Sequence, residues 1–205
     1  MSSMILPDAP AVVLASASAT RRRLLALAGL LFPAEAADLD EAGLKAALQS
    51  EKATARQAAE TLAELKAQRV ARHHPGAPVI GADQILDCEG RWFDKPRDRA
   101  AAAAQLRHLS GRAHDLVTGT CVVRDGVRLW HHTEAAHMVM RAFDENVLAR
   151  YLDAVGDAAL ESVGAYQVEG PGIHLFARID GDHFAILGLP LLPLLAFLRA
   201  HGVVP

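Results

Sequence analysis

Acids and bases fall along this chain in an order that points to anion chemistry. Three small hydroxyl residues, Ser16, Ser18 and Thr20, lead into three consecutive arginines, Arg21, Arg22 and Arg23, where a short apolar run hands over to a leucine-rich segment. A helix N-terminus carries unpaired N–H groups and a partial positive charge, so it is an anion seat before any side chain is counted. Arginines are unfavourable there by up to ~1 kcal/mol unless something negative arrives. A phosphate chain meets that need, although the sequence has no glycine-rich phosphate loop. Plain helix capping is the simpler account of the hydroxyls.

Further acids and bases follow. Lys66 lies four residues after Leu62 and four before Val70, on or beside the apolar face of a helical pattern. A lysine there either snorkels along hydrophobic surface or is turned inward for a purpose. "GAD" at 81–83 ends a four-residue apolar run on a carboxylate. Ligands dock at strand ends in α/β sheets, but an aspartate between two strands is also ordinary turn chemistry. "DKP" at 94–96 sets Lys95 in a proline loop. "LESVGAYQVEGPGI" at 160–173 places Glu169 between glycines that permit close backbone approach to a ligand. That acid either reads a base edge or is an exposed loop residue.

Other chemistries find less support. The ten histidines show no zinc-protease spacing, and Cys88 and Cys121 have no paired-cysteine spacing. Neither a histidine metal site, a disulfide framework nor a covalent cysteine mechanism is indicated. The net charge of −3 argues against a nucleic-acid binder, which would carry a strongly basic face. The start "MSSMILPDAP" lacks the pattern of a secretory signal, so the cytoplasm is the expected setting. "FAILGLPLLPLLAFL" is apolar for about 15 residues, below the ~20 of a spanning helix. It reads as a buried strand turning into a buried helix, and no membrane association is expected.

The elements that must position these residues alternate between strand and helix, which indicates an α/β architecture. The pattern predicts a strand at 11–15, a helix from about 19 to 28 stopped by Gly29, and a long helix over about 54–72. "PVIGAD" and "ILDCEGRWF" read as two strands joined across Asp83 and Gln84. A helix capped by Asp98 comes next, then β-rich sequence from His114 to Met140 with a turn at "RDG". A helix over 143–156 follows, then strands through "GIHLFARI" and "FAIL", and a final helix. No repeat or linker is visible, so residues 1–205 are expected to form a single domain, divisible into two lobes.

Taken together and in order, these pieces resemble the Maf family of nucleoside triphosphate pyrophosphatases, named for inhibition of septum formation. The likeness runs from "LASASATRRRLLALAG" through "DLDE" (38–41), "LAELKAQRVA" (62–71), "GADQILDCEGRWFDKP" (81–96) and "SGRAHDLVTG" (110–119). It continues with "SVGAYQVEGPGIHLFARIDGD" and "LGLPL" (187–191). It implies an α/β fold of the Maf/ITPase-like kind: a mixed central sheet flanked by helices, with two lobes around a nucleotide-binding cleft. By the resemblance, Ser18, Arg21 and Arg22 match the phosphate-gripping motif, Glu41 an acid lining the cleft, and Lys66 a cleft-facing helix lysine. Asp83 matches the proton acceptor. Lys95 matches the lysine of a glycine-lysine-proline motif that reads Asp94-Lys95-Pro96 here.

Three positions are held to sort substrates within the family, and they fall at Thr20, Gln84 and Glu169. Branches acting on dTTP and UTP resemble arginine, threonine and glutamine there, whereas the 7-methyl-GTP branch has tryptophan, glutamine and glutamate. This chain keeps Gln84 and Glu169 of the second set, with Thr20 in place of the indole, a stacking platform worth ~0.5–2 kcal/mol to a cationic base. The implied enzyme hydrolyses a modified or non-standard, 7-methyl-GTP-like nucleotide to its monophosphate and pyrophosphate. The alternatives are a dTTP/UTP-type enzyme and, from a different class, a non-enzymatic nucleotide-binding regulator of septum formation. A carboxylate of ordinary pKa near ~3.9 is a feeble base toward water of pKa ~15.7, so a divalent metal, Mg²⁺ or Mn²⁺, is expected as cofactor. Asp83 and Glu41 are its expected ligands, with Arg21, Arg22, Lys66 and Lys95 holding the triphosphate. The family resemblance also implies a homodimer.

Overall fold

The computed structural model describes residues 3–205. The alternation seen in the sequence becomes six strands and seven α-helices among the described residues. In order they are β1 (Val13–Ala15), α1 (Ala19–Leu27), α2 (Glu41–Ser50), α3 (Ala55–Ala71), β2 (Val79–Cys88), β3 (Arg91–Phe93), α4 (Arg99–Leu109), β4 (Ala113–Arg124), β5 (Val127–Met140), α5 (Glu145–Val155), β6 (Phe176–Asp180), α6 (His183–Ile186) and α7 (Leu191–Ala200). The mixed sheet has the order β1-β2-β4-β5-β6, with β3 paired to β2 off this path. β1 runs parallel to β2, with Val13 opposite Val79, while β2–β3 and β5–β6 are antiparallel.

Three expectations are corrected. Asp83 and Gln84 do not join two strands: β2 continues unbroken through both, and the chain reverses only at Glu89 and Gly90, where φ is positive. Polar residues remain inside this strand because each has hydrogen-bonding partners. "FAIL" is no strand but belongs to α6, started by the Asp182 carboxylate accepting from Ala185 N at 2.8 Å. In "GIHLFARI", the first part forms a 3-10 turn, Pro171–Leu175, and only Phe176–Asp180 is strand. Helix α2 was not foreseen. It has no buried residue, and so no apolar stripe to announce it.

The chain divides into two compact units. The first comprises Met1–Gln84, Val117–Glu134 and Asp182–Pro205. Here strand side chains alternate between two faces. Leu14, Ile80, Ala82 and Val122 pack with Leu24 and Leu25 of α1 and Leu194, Phe197 and Leu198 of α7. On the other face Val13, Ala15, Val79, Cys121 and Val123 meet Ala63, Ala67, Val70 and Ala71 of α3. Both faces are covered, as expected where parallel strands carry helices.

Helix α3 begins in a capping box, Thr54 and Gln57 each bonding the other's backbone. It approaches the sheet closely. A Cβ on Gly81 would lie 2.1 Å from the Ala63 carbonyl oxygen, and one on Gly119 would lie 2.6 Å from the Ala59 carbonyl. The helix face opposite these glycines is built of alanines, all fully buried.

The second unit comprises Ile85–Leu116 and Ala135–Gly181. Within it α4, capped by Asp98, packs on α5, and Arg107 grips Glu145 through two hydrogen bonds of 2.7 and 2.8 Å. Short 3-10 turns over Gly156–Leu160 and Val163–Ala165 lead toward Glu169. They are tied by Tyr151 Oη donating to Ala165 O and Ser162 Oγ donating to Tyr166 O. Beneath them His114 Nε2 lies 2.8 Å from Tyr166 Oη.

Two outcomes follow from this packing. Gly81→Ala must push backbone from backbone, so it is expected to destabilise the protein by about 1–3 kcal/mol in denaturant titration. Burial lowers the His114 pKa from 6.5 to about 4. Between those values the unfolded chain binds a proton that the folded chain does not, so stability falls as pH falls. The expected loss is about 2 kcal/mol between pH 7 and pH 5. Urea titrations of wild type and His114→Gln at both pH values check it: the variant loses this share of the pH dependence.

Candidate active site

The anion seat forms at the start of α1, in the first unit. Ser18 is the N-cap: its backbone is extended and its Oγ accepts from Arg21 N at 3.3 Å. Ser16 Oγ accepts from Ser18 N and from Arg21 Nη1, both at 3.2 Å. The three arginines then part company. Arg21 is buried and donates from Nε to the Gly188 carbonyl at 2.7 Å, whereas Arg22 and Arg23 are exposed. Burial lowers the Arg21 pKa, and the Asp83 and Glu41 carboxylates act in the opposite sense. The helix has no acid in its first turn to offset the guanidinium. Thr20 is half-buried in the same turn.

Three other elements converge beside it. Glu41 opens α2, whose N-cap Asp40 accepts from Gly43 N. Lys66 sits on α3 among buried alanines, and Asp83 lies in mid-β2. The Lys66 ammonium is 2.6 Å from Asp83 Oδ1 and 2.8 Å from Glu41 Oε1. Lys66 and Asp83 are 8% and 4% exposed, while the Glu41 side chain is 42% exposed, so the cluster opens to solvent on the Glu41 side. Asp83 Oδ2 is buried without a hydrogen-bond partner. Leaving a buried acceptor unmade costs about 1–3 kcal/mol, so this oxygen is available to a donor or a cation.

Not every sequence-based candidate joins this cluster. Alternation along β2 turns Gln84 to the face opposite Asp83, where its Nε2 donates to Thr118 Oγ1, Ala185 O and Ile186 O. Lys95 and Glu169 belong to the second unit, and both are exposed, one in the loop after β3 and the other in the turn before Pro171. Lys66 is turned inward, not snorkelled. Two participants escaped the sequence reading: the Gly188 carbonyl 167 residues from Arg21, and Thr118. The polar Thr118 within a strand of buried residues was the one available signal.

Neither cysteine is poised for chemistry. Both are free and buried, and burial pushes the Cys121 thiol up to about 12 and raises that of Cys88. No cluster of three or more His, Cys, Asp or Glu side chains suited to a metal occurs among the described residues. Two carboxylates facing one cation are what this site provides.

The family described as Maf-like protein matches residues 11–201. A nucleoside triphosphate pyrophosphatase of Paramagnetospirillum magneticum is 53% identical over 190 residues, covering 93% of this chain and 98% of its own. One from Granulibacter bethesdensis is 51% identical, covering 93% and 96%. A 7-methyl-GTP pyrophosphatase of Brucella abortus is 52% identical over 193 residues, covering 94% and 97%. A match spanning nearly the whole sequence, with relatives above half identity along almost their full length, means that the chain belongs to the Maf family.

Proposed function

We propose that this protein hydrolyses a nucleoside triphosphate to the monophosphate and pyrophosphate. The observation that carries this reading is the cluster of Lys66, Asp83 and Glu41, with one buried Asp83 oxygen uncommitted, beside an arginine pinned at a helix start. Water attacks the α-phosphorus, the bond to the bridging oxygen of the β-phosphate breaks, and pyrophosphate leaves. Asp83 Oδ2 takes the proton of the attacking water, and Lys66 holds Asp83 oriented through Oδ1. Arg21 and the N-terminus of α1 meet the phosphate oxygens with charge-assisted hydrogen bonds, joined by Ser18 and Arg22.

The donor set fits a divalent cation of the Mg²⁺ or Mn²⁺ kind. Such ions take one or two carboxylates and complete their shell with substrate phosphates and water. Glu41 would hold it directly, and Asp83 would complete the set through the water that it deprotonates. When bound, the ion supplies neutralisation of phosphate charge and a more acidic water. The buried part of the site would welcome that charge, because Arg21 and Lys66 there are faced by Asp83 and Glu41.

For the base, we propose a 7-methyl-GTP-like nucleotide. Gln84 and Glu169 support it, as does the similarity to the Brucella abortus enzyme of that name. Thr20 takes the position of the stacking residue. The same reading places the enzyme in the reducing cytoplasm as a homodimer, without a nucleic-acid or membrane partner.

Release of pyrophosphate from 7-methyl-GTP, GTP, dTTP and UTP, with Mg²⁺ or Mn²⁺ and with chelator, tests the activity. Activity with metal and its loss in chelator are expected, and a chain that binds these nucleotides without releasing pyrophosphate is a regulator instead. Asp83→Asn is expected to cut kcat by at least about a hundredfold. Wild-type rates in that variant would remove Asp83 from the chemistry. Glu169→Gln is expected to shift the order of preference among the four nucleotides, and an unchanged order would remove Glu169 from base selection.

A further inference from the structure

The segment from Ala185 to Gly188 does two jobs at once. Its carbonyls end the short helix α6 and have few partners within it, so they are open to side-chain donors. The Gly188 carbonyl takes Arg21 Nε at 2.7 Å. The Ala185 and Ile186 carbonyls each take Gln84 Nε2 at 3.1 Å, and Ala185 O also takes the Thr118 hydroxyl at 2.9 Å. One turn of backbone thus holds both the cation of the phosphate seat and the amide of Gln84.

The chemistry of these partners fixes which way the amide faces. Two backbone carbonyls can only accept, so the end of the amide they surround must be NH₂ and not oxygen. Thr118 is completely buried, and its single proton is committed to Ala185 O. Its oxygen therefore accepts from Gln84 Nε2, at 2.9 Å. The reverse amide would set an oxygen 3.1 Å from two carbonyl oxygens. The other pole, Gln84 Oε1, has none of these partners and remains an acceptor.

We infer that Thr118 is a positioning residue that, together with the Ala185 and Ile186 carbonyls, locks Gln84 as a hydrogen-bond acceptor for a ring N–H of the nucleobase. The inference rests on the nucleotide reading above. The ligand chemistry is a base whose edge carries an imino donor, as at N1 of guanine or N3 of uracil. Arg21 and Gln84, held by one backbone turn, set the spacing between a phosphate and that edge.

The test uses Thr118→Val, which keeps shape and removes the hydroxyl, and Thr118→Ser, which restores it. Each is assayed with two nucleotide pairs that differ only in the donor: GTP against N1-methyl-GTP, and UTP against N3-methyl-UTP. The wild type should favour the donor-bearing member of at least one pair by about tenfold in kcat/KM. Thr118→Val leaves the two carbonyls in place and should weaken that preference measurably, with KM raised more than kcat is lowered, and Thr118→Ser should restore it. A folded Thr118→Val protein that keeps the wild-type ratio overturns the proposal, as does a wild type indifferent to both methylations. A second measurement needs no turnover and no Thr118 variant. In the wild type, the Gln84 side-chain amide protons should exchange slowly by NMR, assigned by their absence in Gln84→Met. Exchange as fast as a free glutamine would overturn the lock even if hydrolysis is confirmed. Slow exchange without hydrolysis would overturn the enzymatic reading and leave the lock standing.

Discussion

The close approach of α3 to the sheet is the constraint on which the rest depends. It exists because Gly81 and Gly119 present no side chain to the helix and because the helix answers with alanines at 59, 63 and 67. A helix packed at ordinary distance would carry Lys66 farther from β2. At this distance its ammonium comes to 2.6 Å from Asp83 without leaving a buried stem unsupported. The same contact shields the pair from water. Backbone smallness in two strands thus becomes electrostatic strength at one lysine.

Such a cluster is not an efficient way to hold a fold together. Desolvating two charges consumes most of what their attraction returns, and apolar residues of similar volume often serve stability as well or better. The fold has apolar packing on both faces of the first unit and does not need these charges for cohesion. What the pair provides is direction: Asp83 Oδ1 is fixed on Lys66, and Oδ2 is left over. Removing either partner alone would strand the other and cost about 3–5 kcal/mol, so loss of activity in such variants must be separated from loss of folding.

Much of this was readable in the sequence where one local rule governed. Periodicity placed α3 and turned Lys66 toward its buried face, Ser18 and Asp98 marked helix starts, and the turn at Asp125 and Gly126 followed from residues that tolerate positive φ. The errors arose where tertiary partners override local preference. Asp83 and Gln84 look like a turn because polar residues usually end strands, and only the lysine on one side and the carbonyls of α6 on the other make them tolerable in mid-strand. Helix α2 buries nothing fully and so left no periodic trace. "FAIL" has strand composition, but a single cap from Asp182 suffices to start a four-residue helix. The bond from Arg21 to Gly188 links residues that no local pattern relates.

The arginine run shows how one local conflict can be divided among three residues. All three sit where the helix dipole repels them. Arg21 is drawn inward by a carbonyl, a hydroxyl and two nearby carboxylates, and these offset its desolvation. Arg22 and Arg23 stay in solvent, where repulsion is screened. The buried guanidinium is therefore held in place with two carboxylates nearby, and the other two are exposed to solvent. In the proposed reaction a triphosphate meets fixed donors at one point, which set its register, with the exposed charge of Arg22 and Arg23 around it. Binding and chemistry would be coupled in that reaction through Asp83, because its second oxygen has no partner within the protein and would take one from what arrives.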